Sequence, residues 1–443
     1  MKRYEAYKPS GTAWFTSVPE PWNILKINAL FSQRKEKVSD KDFAPISVTK
    51  NGIMPQLETA AKTDDGDNRK KVCVGDFVIN SRSDRKGSCG VSPFEGSVSL
   101  INIVLQPRQE LNGRYAHYLL RSQPFSEEFY RNGRGIVADL WTTRYSELKN
   151  ILLPVPPRDE QDQIVRYLDW QVSKINRLIA AKRKRIELLN QTIAYNLERI
   201  ICEGMHGEEL VETGNPWIST APKSWNKLRH KNILTEKRIV VGDTYSQYTL
   251  LSLTTKGIIV RDISSGKGKF PSDFSTYQVV QPSDMVFCLF DVDETPRTVG
   301  LSAYTGMITG AYTVYETHDV LPEFLLHYFT AIDNKKGFKP LYSGLRKVIG
   351  KDVFSRQSIY LPSVKEQKEI VAAIDASQKK CKKAMDLFEQ EIIALTDLRT
   401  HLISDVVTGQ IDVRGIEVPT FEYIDESNNN DENTEEMEAE LDG

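Results

Sequence analysis

The chain has 443 residues, a formal charge of -2, 40% hydrophobic and 27% charged residues, an ordinary composition for a globular protein and enough length for two or three cores. No window approaches about 18 uninterrupted apolar residues, and the opening Met1-Lys2-Arg3-Tyr4-Glu5 leads into polar sequence, so neither a transmembrane helix nor a signal peptide is expected. Five scattered cysteines (Cys73, Cys89, Cys202, Cys288, Cys381) without a C-x-x-C pair point to a reducing, cytoplasmic setting.

Residues 1–155 read as a first globular domain opened by Trp14, Pro19 and Trp22. Apolar runs at 72–79 and 98–104 predict strands, and 113–131 predicts one or two helices. Leu153-Pro154-Val155-Pro156-Pro157 then leads into Glu160-Gln161 and a long helix over 156–204. Its four-three spacing places Leu168, Ile175, Ile179, Ile186, Leu189 and Ile193 on one seam, with Gly204 as the stop. A linker over 205–220 follows. The second globular domain, 221–362, carries strand runs at 285–290 and 311–315 and a helix around 322–331. Leu361-Pro362-Ser363-x-x-Glu366 has capping-box spacing and opens a second long helix over 363–409. Its seam holds Ile374, Met385, Phe388, Ile392, Leu395 and Leu402, and Gly409 ends it. Each helix runs to about 44 residues, or roughly 65 Å. The segment 410–443 closes on an acidic tail. Residues 422–443 hold ten Asp and Glu and no Lys or Arg, so the charge of -2 becomes +8 without them. Such a tail has the composition of a disordered segment, and the basic body is compatible with nucleic acid.

The same unit is written twice. Glu160-Gln161-x-x-Ile164-Val165 recurs 206 positions later as Glu366-Gln367-x-x-Ile370-Val371. Trp14, Pro19 and Trp22 recur 203 positions later as Trp217, Pro222 and Trp225. Between these landmarks, His117-Tyr118 matches His327-Tyr328, with the offset drifting slowly. The fold class expected is α+β: two pseudo-symmetric globular domains separated by two long antiparallel coiled-coil helices. With two-fold pairing, facing residue numbers add to 574, which sets Asn196 against Gln378.

These paired motifs resemble the specificity subunit of type I restriction-modification systems. The Trp-Pro-Trp openings and the Leu-Pro-x-Pro-Pro-x-x-Glu-Gln junction carry the resemblance; the second junction is two residues shorter and lacks the later prolines. The resemblance implies a non-catalytic subunit with two target-recognition domains that read an asymmetric bipartite site in double-stranded DNA. It also implies docking of two modification subunits, which methylate adenine at N6, and through them of restriction subunits. The partners would use S-adenosylmethionine, ATP and Mg2+; this chain would bind no cofactor. The sequence itself lacks an Asn-Pro-Pro-Tyr or Asp-Pro-Pro-Tyr box and a G-x-x-x-x-G-K-[ST] loop, which disfavours a self-contained methyltransferase-nuclease. The alternatives are a coiled-coil scaffold that binds only proteins, or the specificity module of another multi-subunit methyltransferase-nuclease.

DNA reading needs Arg and Lys at phosphates and hydrogen-bonding side chains at base edges. In the first domain Arg82, Arg85 and Lys86 sit in one loop, and Arg131, Arg134 and Arg144 surround a glycine turn. In the second, Lys256 and Arg261 flank a glycine turn, and Arg297, Arg346 and Lys347 fall at positions aligned with the first set. Trp14, Trp22, Trp217 and Trp225 fit packing anchors better than base-stacking platforms.

Overall fold

The computed structural model describes residues 2–56, 66–135, 141–261, 273–342, 344 and 347–424. Arg346 and the acidic tail beyond Ile424 lie outside them. The chain divides into two compact units, whose described parts are 2–182 with 389–424, and 183–388. Each unit therefore combines one globular part with the first half of one long helix and the second half of the other.

In the first unit a four-stranded antiparallel sheet runs in the order Cys89–Val91, Phe77–Asn80, Asn102–Pro107, Phe31–Arg34. In the second, Val299–Leu301, Met285–Phe287, Thr313–Thr317 and Leu234–Lys237 pair in that same order. Successive residues of a strand face opposite sides, and here both sides are buried. Phe77, Ile79, Ile103 and Leu105 enter the main core, whereas Val78 and Val104 join Ile46, Ile53, Val72 and Val98 in a second one. Met285 and Phe287 against Val286 and Val314 repeat the division. An ion pair of a half-buried cation with a buried carboxylate is repeated too: Arg34 with Asp76 at 2.6 Å, and Lys237 with Asp284 at 2.9 Å.

Several expected elements are subdivided. The run at 72–79 is broken by Gly75, whose φ of +88° turns the chain between Arg69–Val72 and Phe77–Asn80. The run at 98–104 likewise divides between Gly96–Val98 and Asn102–Pro107. The helical stretch 113–131 becomes Gly113–Arg121 and Gln123–Arg131, because Ser122 ends the first and caps the second through the Phe125 amide.

The heptad pattern forms two continuous helices, Arg158–Glu203 and Val364–Val407. Leu168, Ile175, Ile179, Ile374 and Leu402 are buried; Ile186, Leu189, Ile193, Met385, Phe388, Ile392 and Leu395 are half-buried. Cross-helix contacts run in opposite senses. Lys182 pairs with Glu391 (2.6 Å) and Arg399 donates to Asn176 (2.7 Å) in the first unit; Arg185 lies over Phe388 in the second. Each pair adds to within one of 574, so the helices are antiparallel in the expected register. Beside this seam Asn176 is fully buried and is covered by the Ile424 carbonyl, which accepts from its amide. Asn196 and Gln378 are half-buried and share no hydrogen bond among the described residues.

Candidate nucleic-acid interface

What positions the globular parts is a polar joint at the start of each long helix. Strand Asn23–Lys26 pairs with Leu152–Val155, and Asn226–Arg229 with Ser358–Leu361, so each domain's opening strand lies beside the strand that feeds its helix. Trp22 Nε1 then reaches Glu160 at 3.0 Å, and Trp225 Nε1 reaches Glu366 at 3.1 Å. Gly409 ends the second helix against Pro19 and Trp22, and Gly204 ends the first against Pro222 and Trp225. The two glycines have φ of +69° and +77°, and a Cβ at either would meet the proline ring at 2.4 to 2.9 Å. The Trp-Pro-Trp, Glu-Gln and terminal glycine motifs are thus parts of one joint. Trp22, Trp217 and Trp225 are buried, as packing anchors are.

In the first unit the basic candidates come together. After strand Phe77–Asn80 the chain forms a short turn at Ser83–Arg85. That loop is stitched to the stretch before the junction: Thr143 N donates to Ser81 O, Ser83 N to Trp141 O, and Arg134 and Thr142 exchange backbone bonds. Arg82, Arg85, Lys86, Arg131, Arg134 and Arg144 are all exposed. Their ion pairs are peripheral: Arg82 with Asp84 (3.3 Å), Lys86 with Glu127 (2.7 Å), Arg131 with Glu128 (2.9 Å) and Arg134 with Glu147 (3.8 Å). Exposed pairs of this kind are worth little and exchange readily for phosphate.

The second unit uses the same stitching, with Ile349 N donating to Leu289 O, but its loop has the opposite charge. Asp291, Asp293 and Glu294 occupy it. Lys347 is held by Asp293 (2.9 Å) and Glu294 (2.6 Å), and those hydrogen bonds raise its pKa above the ordinary lysine value. Arg297 is drawn inward to the buried Asp333 (3.3 Å) and to Asn334 (3.1 Å). Lys256 is exposed at the tip of the hairpin Leu251–Thr254 and Gly257–Val260, which Arg261 leaves half-buried. The structure therefore gathers the domain-one candidates into one exposed basic edge and spreads the domain-two candidates over two places.

No family model matches the chain. It is 23% identical over 225 residues to the type I restriction enzyme MjaVIII specificity subunit of Methanocaldococcus jannaschii, covering 49% of this chain and 50% of that protein. It is 22% identical over 256 residues to the putative type I restriction enzyme MjaX specificity subunit of the same organism, covering 51% and 56%. The chain is a homologue of type I restriction enzyme specificity subunits. The matched stretch spans about half the length of these relatives. A solved structure described by the complex assembly and conformational transition of the type I R-M system superposes with a TM-score of 0.65 at 14% identity, over 89% of this chain and 99% of that one. That likeness supports the two-domain, two-helix fold.

Sequence reading of this specificity-subunit homologue missed two groups. Trp141 stacks on Tyr130 (6.0 Å, 27°), and Lys86 lies 5.1 Å over the Tyr130 ring, which gives the basic edge an aromatic floor. The signal was Trp141-Thr142-Thr143-Arg144 beside the glycine turn. The second group is terminal. Tyr4 donates to Glu160 at 2.5 Å, and burial together with that bond raises its pKa, so it stays a donor. Arg414 lies 4.8 Å over the Tyr4 ring and pairs with Asp412. No local pattern marks this contact, because its partners lie at opposite ends of the chain.

Proposed function

We propose that this chain is the sequence-specific DNA-binding subunit of a type I restriction-modification complex. It reads an asymmetric bipartite site with the globular parts 1–155 and 221–362. The helices over 156–204 and 363–409 set the spacing, 205–220 links the two copies, and 410–443 is the C-terminal segment. The observation that carries the reading is a frame whose central bonds repeat beneath loops of unlike charge. Trp22–Glu160 and Trp225–Glu366 are equivalent, whereas Arg85 and Lys86, 208 positions earlier, stand where the other copy has Asp293 and Glu294. One scaffold with two unlike loop sets suits two unlike half-sites. The subunit contributes no catalytic group; two modification subunits bring S-adenosylmethionine chemistry, and restriction subunits bring ATP- and Mg2+-dependent cleavage. Leu178, Leu188 and Tyr195 on the first helix, and Leu387, Ile393 and Leu398 on the second, are 48% to 66% exposed, which suits helices that dock other subunits. No helix among the described residues is long and apolar enough to cross a membrane.

The test is co-expression with a type I modification subunit, followed by mapping of methylated adenines. Methylation at one bipartite sequence only when both chains are present supports the proposal. Methylation by this chain alone, or a complex without DNA affinity at any salt, overturns it.

A further inference from the structure

The two joints are built to one plan but differ in strength. In the first unit Glu160 is 7% exposed and accepts from both Trp22 Nε1 and Tyr4 OH. Beside it Gln161 accepts from Asn112 N (2.8 Å) and donates to Pro156 O (3.0 Å) and Glu110 O (3.3 Å). The chain ends reinforce this joint. Asp412 N donates to Lys2 O at 2.9 Å, Tyr7 OH donates to Gly409 O at 3.1 Å, and Arg414 covers Tyr4. In the second unit Glu366 is half-buried and accepts from Trp225 Nε1 at 3.1 Å. Gln367 accepts from Leu321 N (2.8 Å) and donates to Pro362 O (3.0 Å). At the offset that relates the two tryptophans, the position matching Tyr4 is Gly207, which has no side chain to give.

We infer that Glu160 and Glu366 are positioning residues that fix the angle of each reader on its helix. The weaker second joint then decides how strictly the distance between half-sites is counted. This inference rests on the bipartite reading proposed above. One added base pair moves a half-site by about 3.4 Å and turns it by roughly 35°. Helix length alone cannot reject that change if a reader swivels through a similar angle. Apolar contact is non-directional and lets packed surfaces slide, whereas a hydrogen bond weakens steeply off axis. An indole N–H aimed at a carboxylate therefore supplies the angular stiffness that the apolar contacts of the joint do not.

The experiment uses the full chain with its co-expressed modification subunit and a pool of random DNA duplexes. The bound fraction is sequenced for both half-site motifs and for the number of base pairs between them. The wild type is expected to select one spacer length. Trp225→Phe keeps the ring but removes the N–H, and should raise the share of targets one base pair longer or shorter by about tenfold, with both motifs unchanged. Trp22→Phe should leave the distribution narrow, because Tyr4 still holds Glu160. Glu366→Ala should broaden it, and Glu366→Gln, which keeps an acceptor oxygen, should restore it; this pair serves if Trp225→Phe does not fold. An unchanged distribution in Trp225→Phe, equal broadening by both tryptophan variants, or a uniform loss of affinity at every spacer overturns the inference. A wild-type complex that binds DNA without paired motifs overturns the bipartite reading itself, and the inference with it.

Discussion

His230 should make the second unit acid-labile. It follows strand Asn226–Arg229, and its ring lies 4.7 Å from Phe354 and 5.2 Å from Phe329. It is 1% exposed, and neither ring nitrogen has a hydrogen-bond partner among the described residues. Burial pushes its pKa down from 6.5 to about 4. The folded unit thus holds His230 neutral, while the unfolded chain takes up a proton below about pH 6.5. Stability is full above that pH and falls as pH drops from about 6.5 towards 4. The whole shift corresponds to about 3 kcal/mol, of which about 2 kcal/mol is lost by pH 5. For a unit of this size that is a fall in Tm of about 5 °C. His327 in the same unit, also held below the ordinary histidine pKa by burial, acts in the same direction. The informative quantity is therefore the difference between wild type and His230→Phe. Thermal melts from pH 8 to 4.5 should show that difference widening by about 2 kcal/mol as pH falls through 5. At neutral pH the variant should be at least as stable, because a ring without polar atoms replaces two unpaired nitrogens. Curves that stay parallel over the whole pH range would refute the reasoning.

Three further outcomes follow from the same geometry. Arg82→Ala, Arg85→Ala and Lys86→Ala should each lower DNA affinity and flatten the slope of log K against log salt by about one unit; unchanged slopes in filter-binding titrations would remove the loop from the interface. Gly204→Ala and Gly409→Ala combine a left-handed backbone with a Cβ against Pro222 or Pro19, and each should cost about 1–3 kcal/mol in chemical denaturation. Asp76→Ala leaves the half-buried Arg34 without its carboxylate and should cost about 1–3 kcal/mol, whereas Asp84→Ala at the exposed Arg82 pair should change stability by less than about 0.5 kcal/mol.

The helices were legible because periodicity is a local property. Leu168, Ile175 and Ile179 declare a buried seam whatever the partner, and Gly204 and Gly409 stand where only a left-handed residue can end the helix against a proline. The strands were less so, since propensity ran across Gly75 and joined two strands that belong to different sheets. The joints were visible as repeated letters but not as bonds: the Glu160 acceptor meets Trp22 from 138 residues away. The charge of the second reader was the least legible. Alignment with the first domain marks Arg297 and Lys347 as basic, but their carboxylates, on Asp333, Asp293 and Glu294, lie 36 to 54 residues distant. Residue type is written locally; whether a charge is spent inside the protein is not.

That difference bears on how the two readers would share the work. The polyanion sets most of the salt-dependent affinity, and the first unit offers six exposed basic side chains on one stitched edge. The described loop of the second offers carboxylates, with Lys347 and Arg297 already engaged. On the proposed reading, a duplex approaching such a pair would be held electrostatically by the first domain and oriented by the second, whose exposed Lys256 sits on a hairpin apart from the acidic loop. An acidic loop near DNA repels phosphate but can accept from a cytosine amino group, so it spends affinity on discrimination. Two copies of one frame can then divide attraction and selection between them, which a single basic domain cannot do without binding everywhere.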